Sequence, residues 1–252
     1  MKEYMVDAFI LKSIRAMEAD RVITLYTRQM GKIRVMAHGV EKPTSRKRGA
    51  VQPFSFSRLL LRRGRDLDSV AQGEGMELFP VLRQSLGGLA KASYLTELVD
   101  ALTPDEDPNS GVFQLLLDTF RLLGCGFDSV AVRSFEMKMV SLLGYRPCLD
   151  SCVACGSQEV MERVYFVPAQ GGIVCAGCRP GLGQAVEISR GSLENLKTLM
   201  RWETGRIHQL KIAPPADNEM KKVMRKFIEY HLERGMKSLK FEDLLGNDQG
   251  AG

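Results

Sequence analysis

Apolar residues alternate with polar ones through roughly the first 80 positions and then shift to three- and four-residue spacing, so the chain reads as strands followed by helices. Val6 to Ile14 and Arg21 to Thr27 are rich in β-branched and aromatic residues and are separated by the polar Glu18-Ala19-Asp20. After a turn at Gln29-Met30-Gly31, Lys32 to His38 alternates cleanly: Ile33, Val35 and Ala37 face one way, Lys32, Arg34, Met36 and His38 the other. The segment Gly39 to Pro53 is turn-rich and too polar for a core. Two further strands are predicted near Phe54 to Arg62 and Leu67 to Gln72, joined through Gly64, with Phe54 and Phe56 alternating with serines as core residues would. Five short strands in this space predict a small barrel, and the OB-fold is a common five-stranded solution.

Helical spacing predicts α-helices over Val81 to Leu102, Val112 to Leu123, Ser129 to Leu143, Ser192 to Trp202 and Asp217 to Leu232. Pro104, Gly124 and Gly144 with Pro147 mark the ends of the first three, and Asp128 is placed to cap the third. In the last, Met220, Val223, Met224, Phe227 and His231 form one stripe to be buried, flanked by Lys221, Lys222, Arg225 and Lys226. The expected class is α+β: an OB-type barrel over residues 1–80, then a mainly helical domain over 81–252 with a cysteine module inserted at about 148–183. Gly246 to Gly252 reads as a frayed tail.

A chain of 252 residues can bury a sizeable core, and its 44% hydrophobic and 26% charged residues are ordinary for a globular protein. No apolar run is long enough to span a bilayer and the first residues lack a signal-peptide core, so a cytoplasmic, membrane-free protein is expected. In a reducing compartment paired cysteines point to metal rather than disulfides. Cys152-x-x-Cys155 and Cys175-x-x-Cys178 are separated by nineteen residues, the spacing of a four-cysteine zinc site. Four thiolates fill a tetrahedral shell and leave no position for substrate, so structural Zn2+ is expected. A redox motif is the competing reading, and Cys148 is a substitute ligand to be weighed. Cys125 reads as a small buried hydrophobe.

Charge changes the picture further. Of the chain's 35 Lys and Arg, eleven lie between Arg28 and Arg65 against one acid, Glu41, giving that stretch +10 and the remainder −5. Lys32, Arg34, Lys42, Arg46, Lys47, Arg48, Arg62, Arg63 and Arg65 are the candidate DNA-binding residues, reading phosphates rather than bases because stacking aromatics are scarce there. The bland alternative is a solvated surface with no partner. The Lys221, Lys222, Arg225 and Lys226 face reads as ordinary exposed helix. His38, His208 and His231 are assigned to neither metal nor catalysis. No phosphate-binding loop, dinucleotide fingerprint or deaminase H-x-E motif occurs, and no catalytic residue is predicted.

Glu18-Ala19-Asp20 with Val22 to Thr27 and Gly31-Lys32-Ile33-Arg34, then Ala37-His38-Gly39, Lys42-Pro43, Ser45 and Gln52-Pro53-Phe54, follow one another in an order that resembles the bacterial RecO family of recombination mediators. Gly144-Tyr145, Pro147 and Leu149-Asp150 ahead of the cysteines, and Tyr230-His231-Leu232 with Lys237-Ser238-Leu239, extend the resemblance over most of the chain; Cys148 departs from it. The resemblance implies a non-enzymatic, nucleoid-associated DNA repair protein. Such a protein binds single- and double-stranded DNA, anneals complementary strands and, with RecR, helps load RecA onto DNA coated by single-stranded DNA-binding protein. Two other readings stand beside it: a zinc-stabilised adaptor acting mainly through protein partners, and a nuclease using another metal.

Overall fold

The computed structural model describes residues 2–158 and 163–232; Lys237-Ser238-Leu239 and the Gly246 to Gly252 tail lie outside the described residues. The chain divides into two compact units, one running to Gly124 and the other beginning at Cys125.

In the first unit β1 (Glu3–Arg15), β2 (Arg21–Thr27), β3 (Gly31–Ala37), β4 (Phe56–Arg62) and β5 (Asp68–Glu77) close a barrel in the order β1-β2-β3-β5-β4, the OB-type arrangement. Closure depends on the length of β1. Its first half, Glu3 to Phe9, pairs with β4 and its second half, Ala8 to Arg15, pairs with β2, with a register shift between Ile10 and Lys12 that bends it from one neighbour to the other. The parallel β3–β5 seam is short, Val35 opposite Asp68 and Met36 opposite Ser69, so the earlier part of β3 is left without a strand partner on that edge. Val6, Ala8, Ile10, Ile23, Leu25, Ile33, Val35, Ala37, Leu59, Leu61 and Val70 fill the interior.

Two helices cover the outside: α1 (Leu86–Leu102) and α2 (Ser110–Gly124). Phe9 explains why β1 carries an unbroken buried run from Ala8 to Leu11. Its ring faces outward and meets Phe120 of α2 edge-on at 4.6 Å, so the strand is buried on both faces. The expected inward orientation of Phe54 and Phe56 is corrected: Ser55 and Ser57 are the fully buried residues, while Phe54 and Phe56 are half-buried and Phe56 packs edge-on against Phe113. A period of two separates the faces of a strand without naming the inner one, and a tightly closed barrel takes the smaller side chains inside. The helix expected from Val81 opens instead as a 3-10 turn over Pro80–Arg83 and restarts at Leu86, where Ser85 Oγ accepts from Gly88 N at 3.0 Å.

The second unit holds α3 (Asp128–Leu142), β6 (Arg163–Val167), β7 (Gly172–Val174), β8 (Val186–Ser189), α4 (Arg190–Arg201) and α5 (Pro214–His231). The three strands form an antiparallel sheet, β7-β6-β8, that the cysteine-rich composition had hidden. Phe166 of β6 meets Phe227 of α5 edge-on at 5.3 Å, and Met220, Val223, Met224 and Ile228 complete the buried stripe, with His231 half-buried at its edge. Asp128 is not the cap of α3: Phe127 precedes the helix without a side-chain bond, and Asp128 is an acid in the first turn, where the helix dipole favours it. Cys125 is exposed rather than buried, because it follows α2 in a turn rather than lying on its apolar face. No helix among the described residues is long and apolar enough to cross a membrane.

Candidate functional site

The β6–β7 hairpin brings the two cysteine pairs together. Cys148 pairs along β7, donating its N–H to Gly171 O at 2.9 Å and accepting from Ile173 N at 3.0 Å, and Val153 N donates to Ile173 O at 2.9 Å. This close approach needs Gly172, since a Cβ there would sit 2.5 Å from Cys148 O. The first pair thus runs beside β7, and the second follows directly from its end. Each pair closes a tight turn: Gly156 N donates to Cys152 O at 2.8 Å with Gly156 at φ +76°, and Cys178 N donates to Cys175 O at 3.1 Å.

The Sγ atoms of Cys152, Cys155, Cys175 and Cys178 all lie within 4.8 Å of one another, and those of Cys155 and Cys175 are 3.9 Å apart. Bonds of about 2.3 Å at tetrahedral angles place sulfurs roughly 3.8 Å apart, so the donor set fits a four-thiolate metal site. Burial raises the Cys152 thiol, but backbone N–H groups of Cys175, Cys155 and Ala154 aimed at its sulfur outweigh this and bring it down to about 6. Cys178 is pushed up to about 12, first by hydrogen bonding with the Cys175 and Cys155 sulfurs and then by burial, so it keeps its proton until a cation takes the proton's place. Val167 and Val174 pack beneath Cys152. The Cys148 sulfur stands outside this group, near Ser151, so it is not brought to the site.

The eleven cations of the basic stretch part company. Lys32 is 7% exposed, and its Nζ donates to the carbonyls of Asp100 (2.6 Å) and Thr103 (2.7 Å) at the end of α1 and lies 3.2 Å from Asp105 Oδ1. Its expected place beside Arg34 on a phosphate-facing surface is corrected: a buried ammonium with its donors occupied is a strut between β3 and α1. Several arginines meet acids that lie outside the stretch: Arg34 with Asp105, Arg58 with Asp7, Arg62 with Glu3 and Arg63 with Asp68. Arg48 faces Glu41 at 3.6 Å. The pairs of Arg48, Arg58, Arg62 and Arg63 are exposed on their arginine side, and exposed pairs contribute only about 0–1 kcal/mol, so a phosphate can replace the carboxylate cheaply. Asp105 differs, because its other oxygen is held by Lys32. Lys42, Arg46 and Arg65 form no ion pair among the described residues, although the Lys42 charge helps to lower the Asp20 carboxyl.

Lys42, Arg46 and Lys47 share one groove of about 580 Å³, together with Thr44, Ser45 and Gln72. The loop that carries them is anchored at both ends by buried Val40, Ala50 and Val51. At its start Asp20 Oδ1 accepts from Gly39 N at 2.8 Å and Oδ2 faces His38 Nδ1 at 2.7 Å; these bonds, the Gly39 amide first, hold the Asp20 carboxyl below the usual range. Lys47 Nζ reaches Val70 O at 3.0 Å, tying the loop to β5. Thr44 and Gln72 were not singled out in the sequence, and Ser45 entered only through the family resemblance; the Thr-Ser pair before three cations was the available signal. Arg34, Arg63 and Arg65 line a separate cleft of about 390 Å³ whose walls also carry Asp66, Asp68 and Asp105. There the Arg63 guanidinium lies 4.6 Å from the Tyr4 ring centre, and the Tyr4 hydroxyl donates to Asp68; burial foremost, then that bond, pushes the Tyr4 hydroxyl up to about 12. On α5, Arg225 and Lys226 both pair with Glu229, as on an ordinary helix surface.

An OB-type barrel bearing an open cationic groove, followed by a helical unit with a four-cysteine site able to hold a metal, defines a two-part class of protein. Family models described as Recombination protein O N terminal and Recombination protein O C terminal match residues 1–79 and 83–240. DNA repair protein RecO of Pelotomaculum thermopropionicum is 47% identical over 246 residues, covering 98% of this chain and 96% of the relative. Those of Desulforamulus reducens and Desulforudis audaxviator are 42% and 40% identical over 97% and 98% of the chain and 96% and 98% of the relatives. The chain belongs to the RecO family, and its role lies in DNA repair and recombination.

Proposed function

We propose that this protein binds single- and double-stranded DNA through the Lys42–Arg46–Lys47 groove and, by holding two strands near each other, anneals complementary DNA. The carrying observation is that groove: cations without carboxylate partners, hydroxyls beside them, and a loop fixed to the barrel. Phosphates would be gripped without regard to base order, since no Phe, Tyr or Trp lines it. Arg48, Arg62, Arg63 and Arg65 extend the reach, with Arg48, Arg62 and Arg63 exchanging a surface carboxylate for a phosphate. The four-cysteine site takes Zn2+, which supplies folding free energy and leaves no open coordination position, so this metal is structural; annealing by charge needs no catalytic residue. Family membership supports the rest of the reading: action with RecR, contact with single-stranded DNA-binding protein, and loading of RecA onto coated DNA, in the cytoplasm.

Four to six phosphate contacts predict a slope of log K against log salt of about −3 to −4 for single strands. The variant Arg46→Glu/Lys47→Glu/Arg48→Glu should remain folded, by an unchanged melting curve, and lose at least tenfold in affinity. It should also lose annealing of strands precoated with single-stranded DNA-binding protein. Unchanged affinity would instead favour the adaptor reading, in which an acidic protein surface occupies the groove. Cleavage of labelled strands by clean protein with magnesium would refute the non-catalytic one.

A further inference from the structure

The segment between α1 and α2, Thr103 to Asn109, carries three consecutive acids, Asp105, Glu106 and Asp107, and lies along β3 where β5 does not pair. Asp105 bridges Lys32 in parallel register, and Glu106 N donates to Lys32 O at 2.9 Å. The fit is close: a Cβ on Gly31 would lie 2.2 Å from Asp107 O, so only glycine admits the strap there. Below it Lys32 Nζ holds the Asp100 and Thr103 carbonyls, and at its end Tyr26 faces Asn109 O at 3.5 Å. The strap is therefore fixed, and it sets Asp105 Oδ2 3.5 Å from the Arg34 guanidinium, both side chains being more than half exposed.

The β2–β3 face is the surface on which OB-type barrels generally seat oligonucleotides. On that face this chain places a carboxylate where a phosphate would meet Arg34. We propose that the strap is a built-in competitor for the DNA backbone: Asp105 occupies Arg34 and keeps the strand off that part of β3. This rests on the DNA-binding reading and deepens it, by assigning Asp105 to limiting the site and removing Arg34 from the residues that grip DNA in the natural chain.

The test uses the full chain and a labelled oligothymidine strand, with Kd measured across a salt series. In the natural chain Arg34→Ala should leave Kd within about twofold, because Arg34 is already occupied; a larger loss overturns the proposal. Asp105→Asn should bind about two- to fivefold tighter, the range an exposed ion pair can supply, with a slope steeper by about 0.7 for one added contact. Adding Arg34→Ala to Asp105→Asn should abolish the gain. Glu106→Gln, which removes a neighbouring charge not in contact with Arg34, should give less than half of it. A gain that survives without Arg34, or that Glu106→Gln reproduces in full, overturns the proposal by showing a general field effect. Should Asp105→Asn lower the melting temperature through Lys32, the Arg34→Ala result in the natural chain decides alone. Absence of salt-dependent binding by the natural chain would instead remove the DNA-binding reading, and this inference with it.

Discussion

The cysteine site and the cationic groove are both clusters of like charge, and they answer the resulting repulsion in opposite ways. The four sulfurs point inward, within 4.8 Å of one another, on a floor of Val167 and Val174. Ionised together, such sulfurs repel one another, and a cation at their centre would relieve that repulsion. Lys42 and Arg46 stand exposed on the groove loop, where solvent screens them and nothing needs to be neutralised until an anion arrives, while Lys47 is tied back to β5. Closed clusters hold a fold together, and open ones bind.

The largest break in that comparison comes from removing the metal. Stripping it with a strong chelator, or replacing Cys152 by Ser, should unfold the knuckles and the β6–β7 hairpin, since such sites contribute roughly 10–16 kcal/mol of apparent binding in peptides. A melting temperature lower by about 10 °C or more is expected, with DNA affinity changed much less. Metal analysis should find one equivalent of zinc per chain, and finding none would sink the closed-cluster half of the comparison.

Lys32 and Arg46 come next, as cations of one sequence stretch with opposite fates. Lys32→Ala leaves the Asp100 and Thr103 carbonyls without their donor and should cost about 1–3 kcal/mol in urea unfolding. Arg46→Ala should stay within about 0.5 kcal/mol in stability while weakening DNA binding several-fold. If Lys32→Ala proved neutral in stability but lost DNA affinity, the strut would have been misread. A finer distinction separates Arg46 from Arg62: alanine at the acid-paired Arg62 should weaken binding less than alanine at Arg46, by fluorescence anisotropy at low salt.

The smallest effect concerns acid stability of the second unit. Burial raises the Glu219 carboxyl, but Ser192 and Ser189 donate to it and hold it below its ordinary value of 4.5. A carboxyl depressed by folding stabilises the protein fully above that ordinary value, and the contribution fades as pH falls through it. Glu219→Gln should therefore flatten the loss of stability below about pH 4.5. A parallel acid limb in the variant would show that Glu219 does not carry it.

The sequence made the cysteine ligands legible because their chemistry is local. A C-x-x-C turn closes within four residues, and Gly156 declares its own positive φ. The barrel strands were legible for the same reason, through alternation along each strand. The basic stretch was legible as a charge count but not as a surface. Glu3 and Asp7 lie outside it, on β1, and reach Arg62 and Arg58 because β1 pairs with β4; Asp68 reaches Arg63 across the turn into β5, and Asp100 and Asp105 arrive from the end of α1 and the strap. The three-stranded sheet escaped notice because β7 is three residues long and β8 four, too short to show a period.

Which residues gather was thus settled by short-range chemistry: the ligand set, the strand and helix periods, and the loop with its unopposed Lys42 and Arg46. How each charge is spent was settled by the tertiary structure alone. Coulomb interactions depend on distance in space, and packing of the α1 end and the strap against β3 brings Asp100 and Asp105 from some seventy positions away onto Lys32, a neighbour no reading along the chain could supply.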